Sequence, residues 1–289
     1  MTRPSSSFNR ICKLLDYIHA HLDQPLSLDD LAQQSCWSRW QLQRVFQSET
    51  GLTVANYVRE LKLSEAAEAL IHGSERVIDI ALANGFSSEI SFSRAFRQHF
   101  GLSPRDYRKL GRHTGLRKPL QLAQRTPPVS QTPQLMQVRV ESAESETFYG
   151  LATPIRGLLA AAPDFAEQVP SVWAQFSPLM AHQTPQPLTG VIDVTAAADN
   201  DHTLIYWATS TLPVSGAECV TVPAQTYAVV KHRGPIALLP QTLAWFIFDW
   251  LPQSIYRGVD GFELERYPAG YDGTAVHAEM DYWLPIEIA

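Results

Sequence analysis

The sequence predicts a chain of two domains: an all-α N-terminal part with a doubled helix-turn-helix, then an α+β part built on an antiparallel sheet. Three observations predict it: an internal repeat at an offset of 49 to 50 residues, capped helical periodicity to about residue 110, and short alternating runs beyond residue 135.

The repeat aligns Leu28, Asp30, Leu31, Ala32, Cys36 and Trp37 with Val77, Asp79, Ile80, Ala81, Gly85 and Phe86 at an offset of 49. At an offset of 50 it aligns Ser38, Leu42, Arg44, Phe46, Gly51, Leu52 and Tyr57 with Ser88, Phe92, Arg94, Phe96, Gly101, Leu102 and Tyr107. The extra residue, Ser87, falls in a turn, where an insertion costs least. Two copies of one supersecondary unit suit a linear partner with a regular repeat, and duplex DNA is such a partner.

Leu14, Leu15, Ile18 and Leu22 share one face of a first helix that ends near Pro25. Ser27 with Asp30, and Ser38 with Gln41, have the spacing of reciprocal N-caps, which places short helices at 28–35 and 39–49. Thr53 opens a longer helix to Ile71, closed by His72-Gly73; its 19 residues span roughly 28 Å. The second copy gives helices at 76–84 and 89–99, and Ser103-Pro104 opens a seventh. Residues 8–112 are therefore read as the first domain. The prolines and polar residues of 113–134 read as a linker, and 135–289 as the second domain.

In that second domain, Met136 to Glu141, Phe148 to Thr153, Thr189 to Val194, Thr203 to Ala208, Thr226 to Lys231 and Met280 to Ile286 are strand candidates. Helical patterns cover about 164–181 and 236–251. Runs of strands with helices between them, and no regular βαβ alternation, predict α+β.

Charge divides along the same boundary. Residues 1–118 carry 16 Lys and Arg against 12 Asp and Glu, and residues 119–289 carry 7 against 17, within a net −6. The basic part contains the repeat, and the acidic part is a poor match for a polyanion. Three widely spaced cysteines, Cys12, Cys36 and Cys219, suggest neither a disulfide framework nor a zinc site, so neither a metal nor a cofactor is expected. The N-terminus lacks the apolar core of a signal peptide, and no run approaches roughly 18 apolar residues. The expectation is a cytoplasmic protein that does not enter the membrane.

On the helix after Ser38, Leu42, Val45 and Phe46 face inward, which leaves Trp40, Gln43, Arg44 and Gln47 outward, with Gln41 beside them. After Ser88, Phe92, Ala95 and Phe96 face inward, leaving Ile90, Ser93, Arg94 and Arg97 outward and Glu89 and Ser91 at the helix start. Taken singly these arginines would pass as solvated charges; equivalent arginines in two copies argue for readers. Arg44 and Arg94 have the fork that binds guanine or phosphate, Gln43 suits adenine, and Trp40 or Ile90 suits a thymine methyl.

The run Phe86-Ser-Ser-x-x-x-Phe92-x-x-x-Phe96-x-x-x-Phe100-Gly101-x-x-Pro104-x-x-Tyr107-Arg108 resembles the signature of the AraC/XylS family of transcription regulators. That resemblance covers about 10–110. It implies binding to an asymmetric promoter site as a monomer on DNA, with two recognition helices in successive major grooves, recruitment of RNA polymerase, and activation. It makes Trp40, Gln43 and Arg44 base readers of the first unit, and Glu89, Ile90, Ser91 and Arg94 those of the second. Glu89 and Ile90 depart from the family pattern. So does Cys36 in place of a turn glycine, a change that costs about 1 kcal/mol if its φ is positive.

From Val222 onward, Ala224-Gln-Thr-Tyr227, Lys231-His232-Arg233-Gly234-Pro235, Trp250-Leu-Pro252, Leu264-Glu265-Arg-Tyr267-Pro268 and Trp283-Leu-Pro285-Ile286 resemble a GyrI-like domain. The order of the two domains is that of Rob-like regulators, which implies a role in multidrug or stress response. The resemblance also implies a pocket of aromatic residues around a buried Glu, matched by Glu265, that takes hydrophobic or cationic small molecules. Trp173, Tyr206, Trp207, Tyr227, Trp245, Tyr267 and Trp283 supply the aromatic chemistry, although each also suits a core. Two alternatives stand beside a sensor: a protein-docking or sequestering module, and a weak hydrolase using Glu265 as base with Tyr267. No G-x-S-x-G or H-E-x-x-H motif is present, no catalytic residue is assigned, and the chain is read as a non-enzyme.

Overall fold

The computed structural model describes residues 6–121, 136–157, 162–181, 184–195 and 203–289. In chain order the elements are α1 (Ser6–Ala20), α2 (Leu28–Ser35), α3 (Arg39–Thr50), α4 (Val54–His72), α5 (Val77–Ala83), α6 (Glu89–Phe100), α7 (Pro104–Leu110), β1 (Val138–Ala143), β2 (Glu146–Ile155), α8 (Phe165–Phe176), β3 (Leu188–Asp193), β4 (Leu204–Ser210), β5 (Glu218–Val222), β6 (Gln225–Arg233), α9 (Leu239–Trp245), β7 (Tyr256–Gly258), β8 (Phe262–Tyr267) and β9 (Glu279–Ile288). An all-α region followed by an antiparallel α+β region is the fold class the sequence predicts.

The chain forms two compact units, Met1–Ser35 with Glu49–Thr126, and Cys36–Ser48 with Pro127–Ala289. Cys36–Ser48, which lies inside the expected domain of 8–112, groups by its contacts with the C-terminal body. The cause is a set of contacts to residues more than 200 positions away, described below.

In the first unit the helix ends follow local chemistry. Ser27 and Asp30 cap each other, with Asp30 N–H to Ser27 Oγ at 3.1 Å and Ser27 N–H to Asp30 Oδ2 at 3.1 Å. Thr53 caps α4, and Gly73 closes it through an N–H bond to the Ala69 carbonyl. The turn between α5 and α6 passes through Gly85 at φ 76°, the left-handed conformation that glycine adopts without strain. Leu63, Ala66, Ala67 and Leu70 of α4 pack with Val77, Ile80, Ala81, Phe92, Phe96 and Tyr107 in one core. Phe92 to Phe96 and Phe96 to Tyr107 both lie at 5.3 Å between ring centroids, which accounts for the aromatic spacing of the signature. Arg108 is structural: its guanidinium donates to the Leu70 carbonyl (3.0 Å) and the Glu75 carbonyl (2.7 Å) at the end of α4.

The stretch expected to begin the linker instead returns along α4. Tyr107 Oη donates to the Thr114 carbonyl (2.7 Å), Arg117 pairs with Glu60 (2.6 Å), and Leu120 N–H donates to Tyr57 Oη (2.8 Å). The remaining expected linker, 122–134, lies outside the described residues.

In the second unit nine antiparallel strands among the described residues form one sheet in the order β1-β6-β9-β8-β3-β4-β2-β5, with β7 paired to β9. Strand parity assigns the faces. Leu264 aligns with Val191 and Trp283, and these join Phe148, Val222, Tyr227 and Val229 in a core on one face. Glu265 aligns with Gly190 and Tyr282, and so belongs to the other face.

Candidate functional site

The second recognition helix, α6, is open along its predicted outer edge. Ser88 Oγ accepts from Ser91 N–H at 3.1 Å and fixes the helix start. Ile90 is 76% exposed, Ser91, Arg94 and Arg97 are exposed, and Ser93 and Glu89 are half-buried, while Phe92 and Phe96 are fully buried. Glu89 pairs with the exposed Arg105 at 3.7 Å, so its charge at this edge is countered locally.

The first recognition helix, α3, is placed differently. Leu42, Val45 and Phe46 are buried as predicted, but Trp40, Gln41 and Arg44 are buried too, and Gln43 and Gln47 are half-buried. The prediction that this edge faces outward is therefore corrected. Asp260 accepts the Trp40 N–H (3.1 Å) and pairs with Arg39 Nε (3.3 Å), Gly258 N–H donates to the Cys36 carbonyl (3.3 Å), and Trp37 meets Phe248 edge-on at 6.2 Å. A side chain at Gly157 would lie 3.7 Å from the Trp40 ring. Arg44 is 4% exposed, its Nε and Nη2 are buried without a hydrogen-bond partner among the described residues, and burial pushes its guanidinium down to about 10. Cys36 has φ 55°, the strained left-handed conformation that the missing glycine implied.

On the sheet face opposite the apolar core lies a buried carboxylate. Glu265 Oε2 accepts from Tyr206 Oη (2.7 Å) and Tyr267 Oη (2.6 Å), and Tyr206 Oη accepts from Trp173 Nε1 (2.9 Å). Trp173 and Tyr267 meet edge-on at 5.7 Å. Gly190 makes room for the pair, since a Cβ there would lie 2.2 Å from Tyr206 Oη and 2.8 Å from Glu265 Oε2. Burial raises the Glu265 carboxyl despite the two tyrosine donors, and burial together with the neighbouring carboxylate pushes both tyrosines well up.

Four of the predicted ligand residues thus meet: Glu265, Tyr267, Tyr206 and Trp173. Trp207, Tyr227 and Trp283 do not join them, because they belong to the core on the other face; Trp283 meets Tyr227 edge-on at 5.4 Å and lies 4.6 Å from the Arg266 guanidinium. Trp245 lies apart as well, in a surface hollow with Asp249, Trp250, Gln253 and Ser254. Sequence reading missed Glu263, which is 7% exposed, bonded to Tyr282 Oη, and pushed up to about 7, chiefly by burial. Its position two residues before Glu265 on a strand was the only signal available. Buried His232 is held by Thr242 (2.9 Å) and the Pro235 carbonyl (3.1 Å), a packing role. Among the described residues no group of His, Cys, Asp or Glu could hold a metal ion, and no helix is long and apolar enough to cross a membrane.

Residues 31–110 match the helix-turn-helix domain family, and residues 136–287 match the GyrI-like small molecule binding domain family. MarA of Salmonella typhimurium, the multiple antibiotic resistance protein, is 34% identical over 113 residues, which are 39% of this chain and 89% of MarA. The transcriptional regulator Rob of the same organism is 41% identical over 120 residues.

The chain belongs to the AraC/XylS family and carries a C-terminal GyrI-like domain. Its N-terminal region is similar to those of the transcriptional regulator Rob and of MarA. The matched stretch covers 42% of Rob's length. An AraC-type DNA-binding protein of solved structure from Chromobacterium violaceum is 35% identical, with 38% of this chain and 97% of that one covered and a TM-score of 0.35. For an AraC/XylS regulator, the Phe86 to Tyr107 signature is accounted for by the packing around α6, and Arg108 by the end of α4.

Proposed function

We propose that this chain is a ligand-responsive transcription activator that binds an asymmetric promoter site as a monomer, with α3 and α6 entering successive major grooves, and that recruits RNA polymerase in the cytoplasm. The observation that carries the DNA reading is the open edge of α6: a capped helix presenting Ile90, Ser91, Arg94 and Arg97 to solvent over a core of Phe92 and Phe96. Arg94 reads a base and Arg97 meets phosphate, with Ser91 near the helix start as a further donor. In the first helix-turn-helix copy Trp40, Gln41, Gln43, Arg44 and Gln47 hold the matching positions.

Selection of binding sequences from a random DNA pool tests this. The full chain should enrich one asymmetric site, and Arg94→Ala should weaken it by about 1 to 3 kcal/mol while relaxing one base position. Equal weakening on every sequence would assign Arg94 to phosphate alone. Failure to enrich any sequence would refute site-specific reading.

The effector is a lipophilic cation. Glu265 is buried and its hydrogen bonds come from tyrosine hydroxyls, which are neutral donors, so a cation stacked among Trp173, Tyr206 and Tyr267 would meet an uncompensated carboxylate. Titration with tetraphenylphosphonium should quench tryptophan fluorescence saturably in the wild type and not in Glu265→Gln. A flat response in the wild type would favour a docking surface.

A further inference from the structure

We propose that the C-terminal body clamps the first recognition helix, with Asp260 in the turn between β7 and β8 gripping the start of α3 so that DNA reading by α3 requires its release. The clamp rests on the reading of α3 as a DNA-reading helix, and its link to ligand rests on the Glu265 site.

The first turn of a helix presents free N–H groups and the positive end of the helix dipole, the same features that receive a phosphate on DNA. Asp260 occupies that place. One carboxylate oxygen takes the Trp40 N–H and the other takes Arg39 Nε, so an anion already sits where a phosphate would approach. The turn that presents it is pinned on both sides: Val259 N–H donates to the Pro285 carbonyl (3.1 Å), and Val194 N–H donates to the Gly261 carbonyl (3.1 Å). Gly258 holds the Cys36 carbonyl, Gln41 packs directly on Gly258, and Phe248 covers Trp37.

The second observation is Arg44. Its guanidinium is almost wholly buried with Nε and Nη2 unpartnered among the described residues, and Trp40 Nε1 beside it is likewise buried and unpartnered among them. A clamped helix that served only as a packing element would gain nothing from an orphaned charge. Guanine or phosphate oxygens supply the acceptors these atoms lack, so release onto DNA satisfies groups that the clamped form leaves bare. On α6, Ile90, Ser91, Arg94 and Arg97 are exposed, so in the clamped form one recognition helix is available and the other is not.

Asp260 also stands two residues before β8, the strand that carries Glu263, Glu265 and Tyr267. A cation seated at Glu265 therefore acts on the strand that leads directly into the clamp.

The test uses the full chain on its selected promoter DNA, with amide hydrogen exchange of residues 39–48 as a second readout. Asp260→Ala should speed exchange in α3 and tighten specific binding about 5-fold, while binding to unrelated DNA stays the same. Tetraphenylphosphonium should tighten the wild type to a similar degree and add nothing to Asp260→Ala. Unchanged affinity, weaker affinity, or equal tightening on unrelated DNA would overturn the clamp. Arg44→Ala separates the underlying readings. If it leaves the affinity of Asp260→Ala unaltered, α3 is not a reader; if it weakens Asp260→Ala and wild type by a similar factor, α3 reads DNA, and the tightening by Asp260→Ala alone then decides the clamp. A wild type indifferent to tetraphenylphosphonium, with Asp260→Ala still tighter, would overturn the ligand link and leave the clamp standing.

Discussion

Replacing Glu263 with glutamine should remove a pH dependence from the stability of the C-terminal body. Glu263 is buried on β8 against Tyr282, and burial, with Glu265 and Asp260 nearby, raises its carboxyl from 4.5 to about 7 against the opposing Tyr282 hydrogen bond. The sign follows from proton counting. Between those values the folded protein keeps a proton that the unfolded chain has given up, so stability falls as pH rises through the window. Below the unfolded value both states are protonated and nothing is lost. Above the folded value the full cost applies, about 3 kcal/mol for this gap. Urea unfolding followed by tryptophan fluorescence at pH 4.5, 6 and 8 gives the comparison. Wild-type stability relative to Glu263→Gln should decline by about that amount over the series. A difference that stays flat or rises with pH would mean that Glu263 is ionised in the fold and that Tyr282 fully compensates its charge.

Gly190→Ala should drive Tyr206 Oη from Glu265, because the new methyl would lie 2.2 Å from that hydroxyl; tetraphenylphosphonium quenching should weaken about tenfold with DNA binding retained, and undiminished quenching would place the cation elsewhere. Cys36→Gly relieves a φ of 55° and should stabilise the chain by about 1 kcal/mol in urea; a loss of stability would mean that the cysteine side chain contributes packing that outweighs the strain. Arg108→Ala removes donors to the Leu70 and Glu75 carbonyls and should cost about 1 to 2 kcal/mol of stability without altering base preference. A changed preference would make this signature residue a DNA contact.

Much of the N-terminal fold was legible because its signals are local. The Ser27–Asp30 and Ser38–Gln41 spacings close as reciprocal caps, Thr53 and Gly73 bound α4, and the one-residue change of offset at Ser87 falls in the turn between Gly85 and the Ser88 cap. The inward faces of α3 and α6 could be read for the same reason, since Leu42, Val45, Phe46, Phe92 and Phe96 repeat at helical steps.

What covers the other face of α3 could not be read. Gly157, Phe248, Gly258 and Asp260 come to it from across the sheet domain, and no local pattern encodes that meeting. The aromatic residues show a related limit. Tyr206 and Trp207, like Tyr282 and Trp283, are strand neighbours and must point to opposite faces, so no single pocket could hold them all. Deciding which parity accompanies Glu265 needed the register of β8 against β3 and β9. The short strands β5 and β7 carry too few residues for a period to emerge, and in β8 two glutamates on the buried face invert the usual polar-out pattern.

The most direct measurement is a hydroxyl-radical footprint of the full chain on its selected site, taken with Asp260→Ala alongside the wild type. Two protected patches centred one helical turn apart, about 10 base pairs, on the same side of the duplex are predicted, with the patch assigned to α3 deepening in Asp260→Ala. A single patch in both proteins, or two patches on opposite sides of the duplex, would contradict paired recognition helices entering successive grooves.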